Sequence, residues 1–153
     1  MMKRFSLLSL MIISFSACNQ NPVKSEAVQN KINNPDILCF ERYSGLKNQD
    51  TASIYMVINE GRVTGSYSNF LYEKDSRKGT IVGSKAGETI TGMWTYMQEG
   101  IMDSIRFEFK LEEDALMQKK TSFDRESGRE SLTDTASFSL RYVKINCDSR
   151  NPG

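Results

Sequence analysis

The side chains in this sequence best suited to chemistry are aromatic: Tyr67, Phe70, Tyr72, Trp94 and Tyr96 cluster between positions 67 and 96. Tyr and Trp combine a flat apolar body with a polar edge, which suits recognition more than bond making. Alternation puts Tyr67 on one face of its strand with Val63 and Leu71, and Trp94 with Tyr96 on one face of another, beside Ile90 and Gly92. There they could line a cavity for a small apolar or sugar-like ligand, or they could simply fill a core. Glu73, Glu99 and Arg106 are the polar candidates to accompany them. Glu73 sits in Glu73-Lys74-Asp75 and Glu99 in Gln98-Glu99-Gly100, both at the ends of strand-like runs. Their alternative role is that of solvated turns. Arg106 lies on a polar face, where pairing with Glu108 would contribute little if exposed.

What the sequence lacks narrows the chemistry further. It contains no histidine, which removes Ser-His-Asp and Cys-His catalysis and histidine metal ligation. Carboxylate-pair hydrolysis needs two acids across a cleft, an arrangement that spacing alone does not supply. No phosphate-cradling glycine loop or calcium-loop spacing occurs. The expectation is therefore a protein that is not an enzyme, with no cofactor and no metal. Nor does the charge point to nucleic acid. Without Lys3 and Arg4, 18 of the 20 basic residues face all 19 acidic ones, a balance near −1 with no basic cluster.

The elements that must position these residues repeat every second residue. Ile105, Phe107, Phe109 and Leu111 alternate with Arg106, Glu108 and Lys110, the pattern of a strand with one buried and one wet face. Ile54, Met56 and Ile58 alternate in the same way. Further β-rich runs cover 37–43, 63–73, 80–85, 89–98 and 138–147, while 115–120 suits either a strand or a short helix. Turn chemistry separates the runs at Asn59-Glu60-Gly61, at 75–79, at Ala86-Gly87, at Gln98-Glu99-Gly100 and at 112–114. All three prolines, Pro22, Pro35 and Pro152, lie outside 36–151, as an uninterrupted sheet requires. Glycines within Val63-Thr64-Gly65, Ile81-Val82-Gly83 and Ile90-Thr91-Gly92 mark bends or close backbone approach. Short strands and short turns predict an all-β fold, an antiparallel up-and-down barrel of about eight strands spanning 36–150. The polar stretch 121–135 is longer than an ordinary loop. It is either disordered or a protein-contact loop, and the latter would make the domain an inhibitor or an envelope scaffold.

The first 35 residues read as an address. Lys3 and Arg4 precede an apolar run over 5–15, too short to span a bilayer and typical of a secretory signal peptide. Ser16-Ala17-Cys18 resembles the bacterial lipobox, in which the cysteine is lipidated and becomes the new N-terminus. Phe15, three positions before the cut, is too bulky for ordinary cleavage. This gives a signal peptide over 1–17, then lipidated Cys18 and a disordered tether over 18–35 whose composition lacks aromatics. Because Asn19 is not the Asp that retains some lipoproteins at the inner membrane, the resemblance implies lipid anchoring in the cell envelope, at the outer membrane. Cys39 and Cys147 remain. They either form a disulfide bracketing the domain, as an oxidising compartment permits, or are two separate buried thiols. Closure of the barrel would bring the first and last strands together, and these two cysteines with them.

Cys39-Phe40-Glu41-Arg42-Tyr43-Ser44-Gly45, Asp50-Thr51-Ala52-Ser53, Tyr72-Glu73-Lys74-Asp75 and Gln98-Glu99-Gly100 together resemble a group of small bacterial lipoproteins. Their domains are expected to be calycin-like barrels akin to lipocalins and avidins. The similarity covers most of 38–147 and implies a fold rather than an activity. Ser127-Gly128-Arg129 also resembles the Ser-Gly element of the membrane-bound lysozyme inhibitors. The chain opening is similar to the copper-resistance-type envelope lipoproteins, whose Cys-x-x-Cys pair has no counterpart here, so metal sensing is not implied.

Overall fold

The computed structural model describes residues 34–149, so the expected signal peptide, Cys18 and all but the last two residues of the expected tether lie outside the described residues. Ten strands follow one another: β1 (Asp36–Ser44), β2 (Asp50–Asn59), β3 (Arg62–Phe70), β4 (Arg77–Ala86), β5 (Thr89–Gln98), β6 (Ile101–Leu111), β7 (Ala115–Lys119), β8 (Ser122–Asp124), β9 (Arg129–Ser131) and β10 (Phe138–Ile145). Eight of them close into an antiparallel barrel in the order β1-β10-β7-β6-β5-β4-β3-β2, and β8 and β9 form a separate two-stranded hairpin. The expected all-β barrel is therefore what the chain builds. The ambiguous stretch at 115–120 is a strand, and 121–135 carries the β8–β9 hairpin instead of a structureless loop.

Alternation does the sorting. In β6, Ile105, Phe107 and Phe109 are buried while Arg106 is exposed. In β2, Ala52, Ile54, Met56 and Ile58 face inward. Glutamate and glycine make the tight turns: Glu60 and Gly61 have φ of 50° and 80°, Glu99 and Gly100 of 50° and 78°. Positive φ at both central residues is the type I′ geometry that matches the twist of the flanking strands. The in-strand glycines act as expected. Gly83 pairs with Gly92 across β4 and β5, between Val63 and Phe107. A Cβ on Gly92 would meet the Val82 carbonyl and the Phe107 ring.

The barrel closes where β1 meets β10, with Cys39 opposite Ile145 and Glu41 opposite Val143. Cys39 and Cys147 form a disulfide with their Cα atoms 5.3 Å apart. Cys147 does not lie in the last strand. It sits beyond β10 in a short 3-10 turn (Cys147–Ser149). Phe40 fills the core, so its neighbour Cys39 points outward and is buried beneath this turn.

The interior differs along its length. Strand halves beside the turns at 60–61, 87–88 and 112–114 supply Ile58, Val63, Ile90, Phe109 and Leu116, all buried and apolar. Residues 34–35 and the Cys147 turn lie at this packed end. The opposite halves point different side chains inward: Arg42 and Asn69, then Arg77, Tyr96 and Gln118. That second end is the mouth, bordered by the loops at 45–49, 71–76 and 99–100 and by the segment carrying β8 and β9.

Candidate functional site: an aromatic and polar cup at the barrel mouth

Inward positions near the mouth create a cavity of about 320 Å³ whose lining includes Arg42, Tyr67, Asn69, Trp94, Gln118 and Glu130. Its wall is an aromatic stack. Trp94 lies between Tyr67 and Tyr96, with ring centroids 4.1 Å and 4.5 Å away. The indole N–H donates to the Tyr67 carbonyl oxygen at 3.2 Å, reaching across the intervening strand β4. Gly79 makes that reach possible: it pairs with both Tyr67 and Tyr96 and leaves the space between them free of side chain. A Cβ there would also run into the Thr95 carbonyl.

The floor is a buried hydroxyl network. Tyr142 donates to Gln118 Oε1 at 2.6 Å. The Tyr67 hydroxyl lies 2.8 Å from that of Tyr142 and 3.3 Å from the same Gln118 oxygen. Gln118 is 6% exposed and accepts from both. Burial pushes the Tyr67 phenol well above the ordinary tyrosine range, with the Tyr142 hydroxyl adding to the shift. It raises Tyr142 too, against the opposing influence of Tyr67 and Arg42. Both phenols therefore keep their protons at neutral pH, as a donor network requires.

The rim carries charge. Arg77 donates from Nε to Gln98 Oε1 at 2.7 Å, pairs with Glu130 at 2.5 Å, and lies over the Tyr96 ring at 5.0 Å. Glu130 belongs to β9, so this pair fastens the hairpin to the cup. Thr121 also donates to Glu130, and Arg129 reaches Asp103 at 2.5 Å. Burial acts to raise the Glu130 carboxyl, but the hydrogen bonds from Arg77 and Thr121 outweigh it and hold the carboxyl below its usual range. Ser127-Gly128 forms the hairpin turn: Gly128 has a φ of 67° and the Ser127 hydroxyl bonds Asp124 at 2.7 Å.

On the opposite side of the mouth Arg42 lies over the Tyr142 ring, 5.5 Å from its centroid. Two polar atoms in the cup stand out. Arg42 Nε and Asn69 Oδ1 are buried with no hydrogen-bond partner. Both are inward positions, separated only by Ala52, which pairs with each.

The chain matches no family model, no curated protein and no solved structure. The site must therefore be read from its own chemistry.

Of the residues expected from sequence, Tyr67 and Trp94 line the cup. Tyr96, 5% exposed, stacks behind Trp94 and borders a smaller cleft of about 150 Å³ together with Glu99. Arg106 touches the edge of the cup from an exposed position between the inward-facing Ile105 and Phe107. Glu73 is an exposed turn residue with a φ of 56°, and neither it nor Glu99 borders the cup. Arg42, Asn69, Gln118, Glu130 and Tyr142 were not expected. The signal for four of them was present: each lies two residues from an inward apolar or aromatic position, namely Phe40, Tyr67, Leu116 and Leu140. Glu130 carried no such signal, because its hairpin stands outside the barrel. Among the described residues no group of three or more Cys, Asp and Glu side chains could hold a metal ion.

Proposed function

We propose that this protein is a lipid-anchored cell-envelope lipoprotein with a calycin-like barrel that binds a small, ring-bearing molecule in the cup at its mouth. The observation that carries the reading is the cup itself: an aromatic wall facing buried polar atoms that have no partner inside the protein. Small-molecule sites combine apolar and aromatic walls with a few convergent polar groups. Buried polar atoms without partners are costly, and a ligand satisfies them. The volume lies at the lower end of the range for such sites, which favours a single polar ring over a long acyl chain. Of the two ligand types suggested by the sequence, the sugar-like one fits better than the apolar one. The hairpin contributes Thr121 and Glu130 to the cup, so it belongs to the same function and need not be a separate contact module. The anchor is supported by Ser16-Ala17-Cys18 and by the consumption of the other two cysteines in a disulfide.

One preparation tests both halves. Protein recovered from its own envelope is weighed intact, under denaturing and then native conditions. The denaturing mass should begin at an acylated Cys18, and the native mass should add a small, dissociable ligand. Trp94 is the only tryptophan, so its fluorescence also reports binding directly from the cup wall. D-glucose, D-galactose and benzyl alcohol form the first panel, and Trp94→Phe should weaken any sugar binding about tenfold by calorimetry. A free thiol at Cys18 refutes the anchor. An empty native mass, with no response to any member of the panel, refutes the ligand reading.

A further inference from the structure

The cup has a charge, and the charge selects among ring-bearing ligands. Four cationic side chains contribute to its lining: Arg42, Arg77, Arg106 and Lys120. Only one carboxylate, Glu130, stands against them, and it is committed to Arg77 and Thr121. Arg106 and Lys120 are exposed at the edge, where water screens them. Arg42 is different. Its inward position on β1 places the guanidinium against the Tyr142 ring, and its Nε is buried without an acceptor. Among the described residues no carboxylate forms a salt bridge with it.

A guanidinium is always charged and presents its donors as a rigid, planar fork matched to a carboxylate. Leaving a charged donor buried and unmatched is more costly than leaving a neutral one. The guanidinium hydrogen-bonds the Tyr142 hydroxyl, but its Nε keeps no acceptor, and that acceptor is best supplied from outside the chain. Asn69 makes the complementary demand, since its buried Oδ1 needs a donor. The two residues are two strands apart across Ala52, about 10 Å between backbones at ordinary strand spacing. Their two unpartnered atoms do not satisfy one another, and both residues line the same cavity.

Resting on the ligand-binding reading above, we infer that the natural ligand is a small cyclic carboxylic acid bearing hydroxyl groups, of the sugar-acid class. Its carboxylate is held by Arg42, a hydroxyl donates to Asn69 Oδ1, and its ring lies against the edges of Tyr67 and Trp94 that line the cup. Glu130 already occupies the Arg77 guanidinium, so the site accepts one acidic group and repels a second near the hairpin.

The test uses the full-length chain in detergent and matched pairs of acid and neutral sugar: D-glucuronate against D-glucose, and D-galacturonate against D-galactose. Trp94 fluorescence gives the affinities. The acid of at least one pair should bind ten-fold or more tightly than its neutral partner, and this preference should shrink as salt rises. Arg42→Gln should abolish the preference, so that acid and neutral sugar of each pair then bind alike. Arg42→Lys, which keeps the charge but loses the fork, should retain a reduced preference, and thermal melts establish that both variants fold. Equal binding of acid and neutral forms overturns this inference and leaves the ligand-binding reading standing. An undiminished preference in a folded Arg42→Gln protein overturns the role of Arg42. Absence of any sugar response together with an empty native mass overturns both.

Discussion

Replacing both cysteines of the barrel with alanine tests how far its closure depends on a covalent link. Cys39 and Cys147 are 108 residues apart in sequence. In the chain-entropy model, tying a loop of that length costs the unfolded chain about 16 cal/mol/K, or roughly 4.8 kcal/mol at 25 °C. The strand contacts at the same seam are sparse: β1 and β10 share three register pairs, whereas β1 and β2 share nine. The link therefore reinforces a seam whose ladder is short, no longer than that between β6 and β7. For a domain of a little over a hundred residues, unfolding entropy near 0.24 kcal/mol/K converts the loss into a melting point about 20 °C lower. Against a typical total stability of 5–15 kcal/mol, the variant would be marginal at 37 °C. Alanine is preferred to serine because Cys39 is buried, and a buried hydroxyl without a partner would add its own cost. The assay is thermal and guanidinium unfolding followed by Trp94 fluorescence, with the single Cys39→Ala protein as a control that should match the double variant. A shift below about 5 °C would refute the reasoning. It would mean that the β1–β10 ladder closes the ring unaided, or that the unfolded chain already keeps its ends together.

Acid should loosen the hairpin through Glu130. Its folded carboxyl is held below the unfolded value, so the stabilisation is complete above the ordinary glutamate range near pH 4.3 and is lost as pH falls through the lower folded value. Glu130→Gln should therefore melt lower than wild type at pH 7, by roughly 1 kcal/mol for a partly exposed pair, and the gap should close near pH 3; a gap independent of pH would contradict this. The hydroxyl network should behave as a unit. Gln118→Leu removes the acceptor shared by Tyr67 and Tyr142 and should cost about 1–3 kcal/mol in denaturant unfolding. Tyr142→Phe should cost about 1 kcal/mol less in that background than in wild type, and strict additivity would show that the three groups act separately.

The barrel was readable because its instructions are local and repeated. Ile105-Arg106-Phe107-Glu108-Phe109 states its own two faces, and Glu99-Gly100 and Glu60-Gly61 state their own turns. Closure was readable from cysteines near both ends of the domain. The cup was readable only in part, and the reason is physical. Tyr67 and Trp94 are apolar enough to mark an inward face, whereas Arg42 and Asn69 look like the solvated ends of strands. Composition does not separate a strand end that turns into water from one that turns into a cavity. The inward parity of Phe40 and Tyr67 carries that information, provided it is extended two residues past the last apolar position. Glu73 and Glu99 were misleading candidates for the complementary reason. Their charges sit on turn backbone with positive φ, where they face solvent at the mouth and do not border the cup. Glu130 reaches its place through a tertiary contact with Arg77, for which no local pattern exists.

The chain enters and leaves the barrel at its packed end, and the disulfide lies there as well, which gives the domain a mechanical polarity. A load applied through the proposed tether arrives at β1, beside the staple. Cys39 shares it at once with the segment following β10, while β2 resists along the nine register pairs it forms with β1. The ladder is thus loaded in shear along its length, and the seam does not have to unzip pair by pair. The cup lies at the far end, outside this load path. On the proposed lipid-anchored reading, a pull from the membrane would leave the cup undeformed.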